Sequence, residues 1–325
     1  MSTMREQPGG TVSGPQRLIV DVDTGVDDAI ALCLACRWPN AAVELVTTVA
    51  GNIDLDQATA NTLLVLDRLG LDQIPPVARG ADTPLHRDLF SAAEVHGDDG
   101  LGGARERYPP PRRRSLLSTP AWDAIGEAVA AAPGELTLVA TGPLTNVARA
   151  IQAAPTAMTH LKSMVVMGGA IQERGNVTEY AEFNIYVDPE AARLVFASGL
   201  PLTLVPLDIT HQVVLERADL MRWKSLAGTS ADLLAFLEAI TDLTMAFHNL
   251  RVGFDGLYLH DPLALSVALD PSLVKTRKAR LEVETAGAAR GRVRAFWDEG
   301  TPSAVATAVE AERFLTLVKQ VLTGL

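Results

Sequence analysis

Beyond residue 16 the chain alternates short aliphatic and β-branched runs with longer stretches of helical periodicity. The runs Arg17-Leu-Ile-Val-Asp-Val-Asp23, Val43-Glu-Leu-Val-Thr-Thr-Val-Ala50, Leu136-Thr-Leu-Val-Ala-Thr141, Met164-Val-Val-Met167 and Leu202-Thr-Leu-Val-Pro-Leu-Asp208 are apolar nearly throughout. Continuous rather than alternating apolar character marks strands covered on both faces, as in a parallel sheet between helices. Helices are predicted near residues 27–37, 54–69, 143–153 and 188–198. The β-α-β-α order predicts an α/β fold, with a single open, mostly parallel central sheet flanked by helices.

Two regions break the rhythm. Residues 82–120 are rich in Gly, Pro and Arg, including Tyr108-Pro-Pro-Pro-Arg-Arg-Arg114, and read as a surface excursion. Residues 214–260 read as helical and are expected to cover one edge of the sheet. Near the C-terminus, Arg280-Leu-Glu-Val-Glu-Thr285 and Arg292-Val-Arg-Ala-Phe-Trp297 flank two glycines, Gly287 and Gly291, and predict a hairpin with a charged, solvated face. No linker divides the chain, so residues 17–325 are expected to form one domain behind a flexible arm, residues 1–16. The arm lacks the apolar core of a signal peptide and no later stretch has 18 uninterrupted apolar residues, which predicts a cytoplasmic protein with no membrane partner.

Composition narrows the function classes. With 48% hydrophobic and 21% charged residues in 325, the chain can bury a sizeable core and is neither disordered nor fibrous. The 28 Lys+Arg against 39 Asp+Glu leave a formal net charge of −11, which argues against nucleic acid as a partner. The 2 cysteines exclude a disulfide framework. They stand as Cys33-Leu-Ala-Cys36 inside the apolar run Ala29–Cys36, away from the helix N-terminus that a redox pair requires, so packing is their expected role.

Ligands of open α/β sheets bind outside the carboxyl ends of the strands. The first predicted strand ends in Asp21-Val-Asp23-Thr24-Gly25-Val-Asp27-Asp28, four carboxylates in eight residues. Strand period places Asp21 and Asp23 on one side, and Asp27 and Asp28 open the next helix. A helix dipole favours an anion by only about 0.3–1 kcal/mol, too little to gather four acids. A hard divalent cation, Ca²⁺ or Mg²⁺, would neutralise them with oxygen ligands alone. Other strand ends add Asn52, Thr141, Asn146, Asp208, Asn176, Glu182, Asn184 and the pair His260-Asp261. Singly, each has an ordinary role as a turn, cap or helix contact; their recurrence points to a site for a polyhydroxyl ligand such as a sugar. A metal-held water beside Asp23 would suit hydrolysis at a sugar carbon.

These residues, together with His96-Gly-Asp-Asp-Gly-Leu-Gly102, Thr141-Gly-Pro-Leu-Thr-Asn146, Met167-Gly-Gly169, Glu182-Phe183-Asn184 and His260-Asp-Pro262, resemble the inosine-uridine-preferring nucleoside hydrolases from about residue 17 into the C-terminal region. The resemblance implies a calcium-dependent hydrolase that cleaves ribonucleosides, purine or pyrimidine, to ribose and free base. It implies Ca²⁺ held by Asp23, Asp28, the main-chain carbonyl of Thr141 and Asp261, with Asp23 also the general base. Asp27, Asn52, Asn176, Glu182, Phe183 and Asn184 match ribose-side positions, and His96 and His260 match positions beside the leaving base. The transition state is expected to be a ribosyl oxocarbenium ion attacked by water with inversion. A homotetramer or homodimer is implied.

Two departures stand out. Thr24 occupies a position where the family often has Pro, and the aromatic residues expected upstream of His260 have no clear counterpart. Phe247, His248, Arg251 and Tyr258 are the candidates there for a lid. Two rival readings follow from the same residues. Leu18-Ile-Val-Asp21-Val-Asp23-Thr24 fits the start of a haloacid-dehalogenase-like phosphatase with Asp21 as nucleophile, though Lys162 and Lys224 lie in unsuitable contexts for its lysine. A non-catalytic nucleoside-binding protein would keep the metal site without turnover.

Overall fold

The computed structural model describes residues 14–112, 115–226, 228–297 and 300–324. Twelve strands are formed among them: β1 Gln16–Val22, β2 Ala41–Thr48, β3 Val77–Arg79, β4 Leu116–Leu117, β5 Leu136–Ala140, β6 Ser163–Met167, β7 Leu202–Val205, β8 Val214–Glu216, β9 Gly256–Tyr258, β10 Val274–Val283, β11 Val293–Trp297 and β12 Ala304–Val309. Ten build one sheet in the order β11-β10-β12-β7-β6-β5-β1-β2-β3-β4. It is parallel from β12 through β4, and β10 and β11 add the antiparallel C-terminal hairpin at one edge.

Strand order explains where a site can form. From β1 the chain steps outward through β2, β3 and β4, then returns with β5 on the opposite side of β1. The loops leaving β1 and β5 therefore diverge, and the crevice between them is the switch point at which open α/β sheets bind ligands. Asp23–Asp28 follows β1 and Thr141 follows β5 directly.

Two helices lie inside the molecule rather than on it. Val26–Arg37 and Leu55–Arg68 follow β1 and β2; the first is buried from Val26 through Ala35, and His260–Leu269 is buried from Asp261 onward. Both of these buried helices are apolar on all sides, the signature of a core helix, and they pack against each other. Cys33 and Cys36 are free thiols in the first of them, Cys33 fully buried, in keeping with a packing role. Among the described residues no helix is long and apolar enough to cross a membrane.

Several elements differ from the sequence reading. Residues 214–260 are not helical throughout: β8 and β9 form a small antiparallel pair that ties together the ends of the helical segment containing Arg217–Leu226 and Ala231–Arg251. The last apolar run stops as a strand at Val205, and Leu207–Thr210 forms a helical turn that contains Asp208. Strands β3, β4 and β12 were not marked by the apolar pattern. Gln16, read as part of the arm, pairs with Ala41 in β1; residues 1–13 of the arm, and Arg113 and Arg114 of the excursion, lie outside the described residues.

Candidate active site

At the end of β1 the chain turns through Asp23-Thr24-Gly25 into the helix Val26–Arg37. Asp23 is fully buried; its Oδ2 accepts the Asn52 backbone N–H at 2.7 Å, whereas Oδ1 has no hydrogen-bond partner. The turn after β2 comes this close because residue 51 is glycine: a Cβ there would stand 2.1 Å from Asp23 Oδ2. Asp28 folds back over its own helix N-terminus. Its Oδ2 accepts the Gly25 N–H at 2.9 Å and the Asn52 amide at 3.3 Å, and its Oδ1 accepts the Thr141 hydroxyl at 2.7 Å. Asp27 shares a hydrogen bond with Asp261, which opens the neighbouring buried helix, and Asp27 Oδ1 is buried without a partner. One carboxylate oxygen from each of Asp27, Asp28 and Asp261 lies within 4.8 Å of the others.

Four buried acids in contact raise one another's proton affinity. Burial is the largest cause, lifting Asp23 and Asp261 well above the usual carboxylate range and Asp27 and Asp28 to about 6. Repulsion from Asp28 adds to Asp23, and from Asp27 to Asp28 and Asp261. No Lys or Arg among the described residues forms an ion pair with any of the four. The cluster therefore suits a bound cation: its donors are all oxygen, and Asp23 Oδ1 and Asp27 Oδ1 are acceptors that the protein leaves open. Hard divalent ions take such ligands.

A cavity of about 750 Å³ opens in front of the cluster. Asp27, Asn52, His96, Thr141, Asn176, Glu182, Phe183, Asn184, His260 and Asp261 line it, and Asp23 and Asp28 are buried behind that lining. Glu182 caps the short helix Phe183–Val187, accepting the N–H groups of Asn184 at 2.8 Å, Ile185 at 3.2 Å and, across the loop, Gly169 at 2.8 Å. Burial outweighs these bonds and lifts its pKa to about 7. Asn184 donates to the Thr141 carbonyl at 2.7 Å, tying the segment that begins the helix Phe183–Val187 to the end of β5. Asn176 accepts the Phe183 N–H at 2.9 Å, so its side chain spans the same loop. His96 Nδ1 accepts the Val26 N–H at 3.1 Å, and His260 Nδ1 lies 2.7 Å from the Thr210 hydroxyl. Burial lowers the pKa of His96 to about 4 and that of His260 well below its ordinary value, which favours the neutral form of both rings.

Three polar residues singled out from strand ends belong elsewhere. Asp21 Oδ1 accepts the Thr47 hydroxyl at 2.5 Å and the Asn146 amide at 2.8 Å, so this carboxylate ties β1 to β2 and to the helix after β5. Asp21 is fully buried and tethered by these two bonds, which gives it a structural part at the end of β1. Asn146 is a buried strut that also donates to the Thr48 carbonyl and accepts the Ala81 N–H. Asp208 accepts N–H groups from Ile171 and Gln172, shaping the loop after β6. The wall also contains residues that the sequence reading did not single out, among them Phe90, Glu94, His211 and Thr244. His211 lies three residues beyond Asp208, just past the end of β7, whereas Phe90 comes from the surface excursion and carries no local signal.

A switch-point cleft that joins a buried carboxylate cluster to a wall of amide, carboxylate and imidazole groups defines an enzyme site for a small polar ligand. The sequence model of the inosine-uridine preferring nucleoside hydrolases matches residues 18–316, and the chain belongs to that family. It is 41% identical over 271 residues to the pyrimidine-specific ribonucleoside hydrolase RihA of Enterobacter sp. (strain 638), covering 83% of this chain and 84% of that one. Uridine nucleosidase 1 of Arabidopsis thaliana is 35% identical over 328 residues, covering 96% and 94%. The solved plant nucleoside hydrolase PpNRh1 superposes with a TM-score of 0.88 at 36% identity, covering 96% of this chain and all of that one. The protein is thus a hydrolase of N-glycosyl compounds, and ribonucleoside hydrolysis is the activity of its family.

Proposed function

We propose that this enzyme hydrolyses ribonucleosides to ribose and free base in a calcium-dependent reaction with Asp23 as general base. The observation that carries the reading is the pair of unpartnered buried oxygens, Asp27 Oδ1 in the Asp27–Asp28–Asp261 cluster at the cavity wall and Asp23 Oδ1 behind that wall. Asp23, Asp28, Asp261 and the Thr141 carbonyl are the residues that would hold the ion. When bound, Ca²⁺ would supply Lewis-acid polarisation to water and to ribose hydroxyls. Asp23 takes the proton of the attacking water through its open oxygen. Asp27, Asn52, Asn176, Glu182 and Asn184 orient the ribose by hydrogen bonds, with Phe183 closing one side. As the base departs, positive charge grows on the ribosyl ring, and the Asp27 and Glu182 carboxylates stabilise it more than the neutral substrate. His96 and His260 stand at the base side and assist its departure. Water enters opposite the base, so configuration inverts without a covalent intermediate.

The test is release of reducing sugar from uridine, inosine, cytidine and adenosine, with calcium and after chelation. Uridine is the first choice because the relatives named above act on uridine or on pyrimidine ribonucleosides. Failure to release ribose from any of the four ends this reading. A crystal grown in millimolar calcium that shows no ion among Asp23, Asp28 and Asp261 ends the metal assignment. The reading also includes a cytoplasmic homotetramer or homodimer acting in nucleoside salvage; light scattering of the purified protein decides the oligomeric state.

A further inference from the structure

Four of the chain's 6 histidines, His96, His211, His248 and His260, line the cavity in front of the carboxylate cluster. Burial lowers the pKa of His211 and His248, which favours their neutral rings. A neutral ring has one N–H donor and one lone-pair acceptor, and the partner of one nitrogen fixes the role of the other. His96 Nδ1 accepts a backbone N–H from Val26, which leaves the proton on Nε2. His248 has the opposite arrangement. Its Nδ1 lies 3.0 Å from the Gly256 carbonyl oxygen, and a carbonyl can only accept. The proton therefore resides on Nδ1, and Nε2 is an acceptor. The ring is held in place: His248 lies in the last turn of the helix Ala231–Arg251, with Phe254 and Tyr258 rings at 5.3 and 5.4 Å, and Gly256 is fixed in β9.

We propose that His248 is a specificity-determining residue that presents a hydrogen-bond acceptor to the departing base and selects bases carrying a ring N–H. The proposal rests on the ribonucleoside hydrolase reading and assigns the side chain that reads the base. Uracil in uridine has a single N–H, at N3, between two carbonyl oxygens. Its N3–H matches the His248 acceptor, and an adjacent carbonyl matches the donor that His96 offers. His248 was expected from sequence only as a lid candidate; its backbone partner gives it a defined polarity.

The experiment compares kcat/KM for uridine and 3-methyluridine, in calcium, for the wild type, His248→Phe and His248→Gln. The methyl group removes the only N–H and leaves the carbonyls. A site built to pair that hydrogen rejects the analogue, so the wild type is expected to favour uridine by about tenfold or more. His248→Phe keeps a planar ring of similar bulk without the acceptor, and its preference should fall to within about twofold through loss of uridine turnover. His248→Gln restores an acceptor oxygen and should keep most of the preference. A wild-type preference within about twofold, or a folded His248→Phe enzyme with the wild-type preference, overturns the proposal while leaving the hydrolase reading intact. Should His248→Phe fail to fold, the wild-type preference and its loss or retention in His248→Gln decide the matter. No turnover of any nucleoside overturns the hydrolase reading and this proposal with it.

Discussion

Asp23 concentrates the chemistry of the site in one side chain. One oxygen is fixed by the Asn52 backbone and the other is left open, so orientation and reactivity are divided between two atoms of the same carboxylate. Asp23→Ala is expected to lower kcat by about 10²–10⁴-fold, the range of general-base contributions, or more if the ion is lost with it. Its thermal stability in chelator should be unchanged or higher, because the substitution removes one member of a self-repelling buried cluster. Wild-type rates in a folded Asp23→Ala protein would show that another group takes the proton. Gly51 is the matching backbone position: Gly51→Ala places a methyl 2.1 Å from Asp23 Oδ2. Displacement of that carboxylate should cost about 1–3 kcal/mol in denaturant unfolding and reduce turnover as well.

At the scale of elements, the site depends on two helices that the core encloses. Asp27 and Asp28 begin one and Asp261 begins the other, and their side-by-side packing brings acids separated by more than two hundred residues into contact. Cys33 lies in the first of these helices, and burial pushes its thiol far above the ordinary value and Cys36 up to about 12. Both should resist alkylation in the native protein and react only after unfolding, which mass spectrometry of iodoacetamide-treated samples can follow. Rapid native labelling would mean that this helix opens locally. The helix and its neighbouring strands were legible in the sequence because their apolar runs are long. Strand β3 has three residues and β4 two, too few to display a period, and β12, Ala304–Val309, alternates alanine with Val305, Thr307 and Val309 and so lacks the continuous bulky apolar run of the other core strands. The β8–β9 pair joins segments some forty residues apart, so neither strand has a local cue.

The whole molecule carries a formal charge of −11, part of it gathered at the switch point. Asp21 and Glu182 are lifted by burial to about 7, and Asp27 and Asp28 to about 6. Unfolding returns them to ordinary carboxylate values, so between about pH 4 and pH 7 the folded, metal-free chain binds more protons than the unfolded one. Stability from these groups is present in acid and lost as pH rises through their folded values. The melting temperature in chelator should therefore fall from pH 5 to pH 8. Calcium, binding only the folded carboxylate form, should restore it most at the upper end, by about 2.7 kcal/mol at a hundredfold excess over the dissociation constant. A calcium shift that is absent at pH 8 would separate the acidic cluster from metal binding.

The sequence alone determined the α/β class, the parallel core strands and the order of acidic and amide residues at their carboxyl ends. These follow from short-range rules: apolar runs mark buried strands, and polar residues just beyond them mark loops. Only the tertiary structure decided which of those polar residues share a site. Asp21 and Asn146 carry the same local signature as Asp23 and Asn52, yet the first pair is bonded together away from the cavity wall and the second meets at the cluster. The pairing of Asp27 with Asp261, the entry of Phe90 and His211 into the wall and the acceptor nitrogen of His248 likewise depend on contacts between distant segments. Strand order and helix packing fix such contacts, and neither is written in the residues nearest to the groups they bring together.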